Sequence, residues 1–203
     1  MNRLISLPLK LGFLASGNGS SARAIVGAIQ AGQLAAEPRL MVSNQRASPA
    51  LAFAKEAGFE ALCIPTQADP EAADQRLSEA MTAHDVDLIV LSGYLRQLGP
   101  ETLRRYAGRA LNIHPGPLPE FGGHGMYGLR VHAAVVAAGA TESGICILVV
   151  DGEYDHGPVI ARCSVPVQPG DTAETLQARV NALEPAFFVE TLQRIARGDL
   201  VLP

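Results

Sequence analysis

The sequence predicts an α/β fold: a Rossmann-like, mostly parallel twisted sheet with helices on both faces and an antiparallel addition in the C-terminal half. Three observations carry this. Short β-like runs alternate with helix-like stretches through the first half of the chain, the pattern of strands joined by crossover helices. Residues 87–91, Asp-Leu-Ile-Val-Leu, form an apolar run between polar flanks, the mark of a strand buried on both faces. In the second half, two strand-like runs are separated by only a short loop, which suits antiparallel neighbours.

The elements follow in order. Lys10–Ser16 is a strand and Ser20–Ala31 a helix, with Gly32 as its stop. Arg39–Ser43 is the second strand, Ser48–Ala57 the second helix, and Gly58 ends it. Ala61–Ile64 is a third short strand, Pro70–Ala83 a third helix, and Asp87–Leu91 the fourth strand. A short helix near Glu101–Tyr106 leads into an apolar run, Arg109 to Ile113, that ends in Asn112 and His114. Leu129–Ala138 is helical and closes at Gly139. Gly144–Val150 and Pro158–Val167 are the two late strands. Thr172–Arg197 is a long helical pattern interrupted by Pro185, where local irregularity is expected because proline removes a backbone donor. No repeat or linker divides the 203 residues. One domain, 1–203, is expected, with an N-terminal half of about 9–108 and a C-terminal half of about 109–203.

Composition narrows the function. Hydrophobic residues are 48% and charged residues 18%, enough apolar material for a substantial core. The net charge of −4, without a Lys/Arg cluster, does not indicate a nucleic-acid surface. Cys63, Cys146 and Cys163 are widely spaced in apolar contexts and read as buried small hydrophobes of a reducing compartment. The segment Met1–Lys10 lacks a signal-peptide layout, and no run reaches a membrane span, so a soluble cytoplasmic protein is expected.

The chemistry gathers at Asn112 and His114. Residues i and i+2 of a strand point to one face, so an amide donor and a titratable imidazole address one point. The loop beyond them is stiffened by Pro115, Pro117 and Pro119. Such a pair suits a reaction in which charge grows on an oxygen while a proton moves. A second loop, Asp151-Gly-Glu-Tyr-Asp155-His-Gly-Pro158, offers carboxylates, and a carboxylate near an imidazole raises its pKa. The alternative is two polar loops at the edge of a sheet.

The first strand runs into Ser16-Gly-Asn-Gly-Ser-Ser21 and then a helix, a setting in which backbone amides hold a phosphate. The string also fits a weak dinucleotide fingerprint, but Ser43-Asn44 stands where that fingerprint wants an acid. A single phosphate on Gly19-Ser20-Ser21 is the better reading, with a purely structural turn as its alternative. The histidines 84, 114, 124, 132 and 156 show no metal-ligand spacing, and His132 reads as a packed or surface side chain. Gly122–Gly128, with four glycines, is either a mobile cover or an irregular turn. On spacing alone Glu184 reads as a solvated surface acid. The loops 17–21, 93–98, 112–128 and 151–157 all follow predicted strands, so convergence on one sheet edge is expected.

Taken together, these residues resemble the glycinamide ribonucleotide (GAR) formyltransferases of purine synthesis. The matching strings are Ser16-Gly-Asn-Gly-Ser20, Gly93-Tyr-Leu-Arg96, Leu111-Asn-Ile-His-Pro115, Leu118-Pro119, Tyr154-Asp-His-Gly-Pro158 and Val165-Pro-Val-Gln-Pro-Gly-Asp171. The resemblance implies transfer of the formyl group of 10-formyltetrahydrofolate to the amine of GAR, without a metal, in a monomer or homodimer. It implies Asn112, His114 and Asp155 as catalytic residues, with Asp155 taking precedence over Asp151. GAR would lie on Gly17, Asn18, Gly19, Ser20, Ser21, Asn181 and Glu184, which upgrades that acid. Folate would lie on Leu95, Arg96, Gln97, Leu98, Asn112, Asp151, Gly152, Glu153, Tyr154 and Asp155. The chain departs from the family pattern at Ser21 (usually Asn), at Pro70 (often Arg, near the folate tail) and at Pro185 (often His). The rivals are a formyltetrahydrofolate deformylase, which gives the formyl group to water, and a non-catalytic nucleotide- or folate-binding protein. The deformylases carry an extra N-terminal module and tRNA formyltransferases add a C-terminal basic domain, and neither is expected here.

Overall fold

The computed structural model describes residues 7–203; the reading of Met1–Ser6 therefore lies outside the described residues. The elements are β1 (Leu9–Leu14), α1 (Ser20–Gln30), β2 (Ala36–Ser43), α2 (Pro49–Glu56), β3 (Glu60–Cys63), α3 (Pro70–Ala83), β4 (Leu88–Leu91), α4 (Pro100–Arg105), β5 (Ala110–His114), α5 (Leu129–Ala137), β6 (Glu142–Val149), β7 (Val159–Pro166) and α6 (Ala173–Arg197). One seven-stranded sheet has the order β3-β2-β1-β4-β5-β6-β7. The pairs from β3 through β5 are parallel, while β5–β6 and β6–β7 are antiparallel. The expected fold class is what forms.

The sheet separates two cores. On one face, Leu11, Phe13, Val90, Leu111 and Ile147 pack with Ala22 and Ile25 of α1, Ala50 and Ala54 of α2, and Phe188 and Leu192 of α6. On the other, Leu14, Val42, Ile89, Leu91 and Ala110 pack with Ala73, Leu77 and Met81 of α3. The alternation within β4 explains its continuous apolar run: Leu88 and Val90 serve one core, Ile89 and Leu91 the other. A third cluster joins α5 to the late strands and the start of α6 through Val135, Ile145, Val165, Leu176 and Val180. Gly12 allows the α3 side of this packing. A Cβ there would sit 2.5 Å from Met81 Sδ and 3.0 Å from Val86 Cγ1.

Differences from expectation fall in β2, in α6 and at the cysteines. β2 begins at Ala36 rather than Arg39, and it accommodates Pro38 by a register shift opposite Leu11/Gly12. α6 is not interrupted at Pro185 but runs unbroken from Ala173 to Arg197. Only the Asn181 carbonyl loses its helical donor. Val180 and Phe188, both wholly buried, hold the helix on either side. Its start is also secured, because Thr172 and Thr175 form a reciprocal capping box and Arg179 grips Asp171 through two nitrogens at 2.7 and 2.8 Å. Finally, only Cys146 of the three free cysteines is buried; Cys63 and Cys163 are partly exposed. Among the described residues no helix is long and apolar enough to cross a membrane.

Candidate active site

Alternation in β5 divides its side chains between the two cores. Leu111 and Ile113 turn toward α1 and α6, whereas Ala110, Asn112 and His114 share the α3/α4 face. The β6 loop reaches them by an unexpected route. Because β6 runs antiparallel, with Leu111 opposite Val149 and His114 opposite Cys146, its chain leaves the sheet below Asn112. The 151–157 loop does not start from the edge used by the other three loops; it folds back along the sheet face to bring Asp155 to the pair.

There Asp155 meets three partners. Its Oδ1 accepts from Asn112 Nδ2 at 3.4 Å, its Oδ2 accepts from Gly123 N at 3.2 Å, and Oδ2 lies 3.3 Å from His114 Nδ1. The side chain is 9% exposed and the residue sits at φ 54, a conformation that non-glycine residues seldom adopt and that clusters at functional sites. On its other side, His114 Nε2 is 2.8 Å from the Phe121 carbonyl, to which it donates. With that N–H committed, Nδ1 and the carboxylate attract only when one of them carries a proton. Burial is the largest influence on His114 and lowers its pKa, outweighing the upward pull of Asp155 and of the Phe121 carbonyl. The expectation of a raised value is thus reversed, because an imidazole only 2% exposed loses more hydration than a single carboxylate restores. Nearby His132 is wholly buried, not at the surface, and neither ring nitrogen has a partner among the described residues. Its pKa is lowered by burial and then by His114.

A narrow cavity of about 50 Å³ adjoins Asn112 and Asp155. Leu91, Tyr94, Leu98, Leu148 and Val150 supply its apolar wall; Arg96, Gln97, Asn112, Asp151, Glu153, Tyr154 and Asp155 supply its polar one. Of the expected folate residues, Leu95 is 57% exposed and stays outside, as does Gly152, whose carbonyl accepts from Gln97 Nε2 at 3.3 Å. Leu91, Tyr94, Leu148 and Val150 were not foreseen. Tyr94 is kept a neutral phenol, its pKa pushed up to about 12 by burial. Arg96 Nε is buried without a hydrogen-bond partner among the described residues, a donor available to a ligand. The volume is far below the roughly 300–1,000 Å³ of a typical small-molecule pocket. A larger cavity of about 520 Å³ between α3 and α4 shares no lining residue with this one.

The glycine loop occupies the other side of the sheet edge. Gly19 takes φ 65, where glycine is favoured, and ends the loop as the N-cap of α1 without any side-chain cap. A helix cannot satisfy its own first amides, so those of Ser20 and Ser21 have no intrahelical acceptor and lie at the favourable end of the dipole. Ser48 caps α2 and Asp69 caps α3 through their side chains, whereas α1, like α4 and α5, begins at a glycine with no side-chain cap among the described residues. Gly17 and Asn18 are held by their carbonyls: Gly17 O accepts from Ser48 Oγ at 2.8 Å, and Asn18 O from Arg23 Nε at 2.9 Å. Asn181 is exposed. Glu184 is half-buried rather than a solvated surface acid. It lies one turn from both Val180 and Phe188 on the inward stripe of α6, and burial pushes its carboxyl up to about 7. α6 packs along α1, so Glu184 stands on the same side of the sheet as the glycine loop. Among the described residues no group of three or more His, Cys, Asp or Glu is placed to hold a metal ion.

Comparison with known proteins agrees with this geometry. Residues 9–192 match the family described as formyl transferase. The chain is 34% identical over 189 residues to the phosphoribosylglycinamide formyltransferase of Escherichia coli, covering 92% of this chain and 87% of that protein. It is 36% identical to the chloroplastic phosphoribosylglycinamide formyltransferase of Vigna unguiculata, covering 95% of this chain but 62% of that one; the chain thus spans less than two thirds of the plant relative. The crystal structure of the Coxiella burnetii phosphoribosylglycinamide formyltransferase superposes with a TM-score of 0.86 at 38% identity, over 94% of this chain and 88% of that one. A formyltetrahydrofolate deformylase from Pseudomonas syringae shares the fold, with a TM-score of 0.83 at 21% identity.

Proposed function

The chain belongs to the formyl transferase family, and from that membership we propose that it transfers the formyl group of 10-formyltetrahydrofolate to the primary amine of glycinamide ribonucleotide, a step of purine synthesis. The observation that carries the reading is the meeting of Asn112, His114 and Asp155 beside a cavity with an apolar wall. The uncapped start of α1 supports a phosphorylated acceptor, and Glu184 on the same side suits its ribose hydroxyls or cationic amine.

In this reading the pterin of the donor enters between the 94–98 and 151–155 loops, and the GAR phosphate rests on the Ser20 and Ser21 amides. The amine lone pair attacks the formyl carbon and the carbonyl electrons move onto oxygen. Asn112 Nδ2–H and a proton on His114 Nδ1 stabilise that oxyanion. Burial disfavours a charged His114 in the resting site, whereas a developing negative oxygen supplies the missing countercharge. The imidazolium is thus stabilised in the transition state more than before it, as catalysis requires. Asp155 takes a proton from the attacking nitrogen, directly or through a water. The proton passes to the folate nitrogen as the carbon–nitrogen bond breaks, giving formyl-GAR and tetrahydrofolate.

The test is incubation with 10-formyltetrahydrofolate, with and without GAR, following folate release and formyl-GAR. Release that depends on GAR is expected. Equal release without GAR would make the protein a hydrolase, and no release in either case would make it a binding protein.

A further inference from the structure

Strand order reverses between β1 and β4, and a sheet of this kind normally opens a crevice there. Here the crevice is tied across. Ser16 N donates to Gly93 O at 3.0 Å, and Leu95 N donates to Ser16 Oγ at 2.9 Å. The Ser16 hydroxyl in turn donates to Asn44 Oδ1 at 2.7 Å. One turn into α1, Ala22 N donates to Ser92 Oγ at 3.0 Å. A hydroxyl has one proton to give, and Ser16 uses it on β2's exit while accepting from β4's exit. The ends of three adjacent strands therefore meet on one side chain. Asn44, the residue that displaces the acid of a dinucleotide site, is part of this tie.

The tie lies between the two substrate regions. Residues 17–21 leave it on the phosphate side, and residues 94–98 leave it on the donor side. Ser16 and Ser92 line no part of the donor cavity. Resting on the formyl-transfer reading, we infer that Ser16 is a positioning residue, which sets the spacing between the acceptor's phosphate anchor and the donor's ring pocket, with Ser92 as its second fastening. Transfer between two bound molecules needs the reacting atoms about 3–3.5 Å apart, and a shift of about 1 Å costs on the order of 10²-fold. Removing the hydroxyl leaves the Ser16 N–Gly93 O bond in place but frees Leu95 and Asn44. The loops keep their ligand-binding groups and lose their mutual register.

The experiment is steady-state kinetics of Ser16→Ala and Ser16→Thr with GAR and 10-formyltetrahydrofolate, alongside thermal melting. For Ser16→Ala, kcat should fall about 10- to 100-fold while both KM values stay within about threefold, as expected when orientation rather than affinity is lost. Ser16→Thr, which keeps the hydroxyl, should recover most of the rate. A kcat within about twofold of wild type, a loss confined to one KM, or a threonine variant as impaired as the alanine variant would overturn the inference. Should Ser16→Ala not fold, Asn44→Ala unhooks the same hydroxyl from β2. It is expected to lower kcat with both KM values retained, and an unchanged kcat overturns the inference. A wild-type protein without GAR-dependent transfer defeats the functional reading itself, which is a distinct result.

Discussion

Asp155 holds the site together. Its carboxylate accepts from an amide on β5 and the backbone N–H of Gly123, and it lies beside a ring nitrogen on β5, all from a left-handed backbone position. Removing any member of this group takes away either an oxyanion donor or the proton carrier. Asn112→Ala, His114→Ala and Asp155→Ala should each lose roughly 10²–10³ in kcat while remaining folded by circular dichroism. Near-wild-type turnover in any one of them would strip that residue of its role. Asn112 and His114 were legible because strand alternation alone aims them at one point, and the resemblance singled out Asp155. The supporting contacts were not legible. Phe121 and Gly123 act through backbone atoms, which no side-chain pattern reveals, and Tyr94 joins the cavity wall through the path of a loop. The sign of the His114 shift was also out of reach, because it depends on burial that only the folded chain defines.

At the scale of the element, α6 shows how a helix carries a polar task on an apolar face. Its inward stripe runs through Leu176, Val180, Phe188 and Leu192, and Glu184 takes one position in it. A carboxyl whose value rises from 4.5 to about 7 on folding is held more readily when protonated. The unfolded chain then binds fewer protons than the native one between those values, so stability falls as pH rises through the window and levels off above it. Glu184→Gln removes the titration. Urea denaturation at a series of pH values should show the variant without that decline and more stable than wild type at pH 8, with weaker GAR binding. Parallel curves for the two proteins would mean that Glu184 is not desolvated. Spacing alone gave a surface acid, since Pro185 beside it suggested a break. The buried anchors on either side kept the helix continuous and the acid turned inward.

For the whole molecule, the sheet is a partition as well as a scaffold. The glycine loop and Glu184 belong to the α1/α6 side, the donor cavity to the α3/α4 side, and β5 presents its polar pair where they meet. The parallel half was legible from alternation of elements, and the late hairpin from its short connection. The return of the 151–157 loop over the sheet face was not, because loop direction depends on which way the preceding strand runs. The same antiparallel pairing sets Cys146 opposite His114. The thiol is 2% exposed and burial raises its pKa, so little of the reactive thiolate exists at neutral pH. Cys63 and Cys163, partly exposed, should react first with a thiol reagent. Mass spectrometry should then find Cys146 labelled slowly, at a rate set by local parting of β5 from β6. Labelling as fast as that of the other two would show that the pairing does not shield it. Its labelling rate makes this inert sulfur a clock for how often the catalytic strand comes loose.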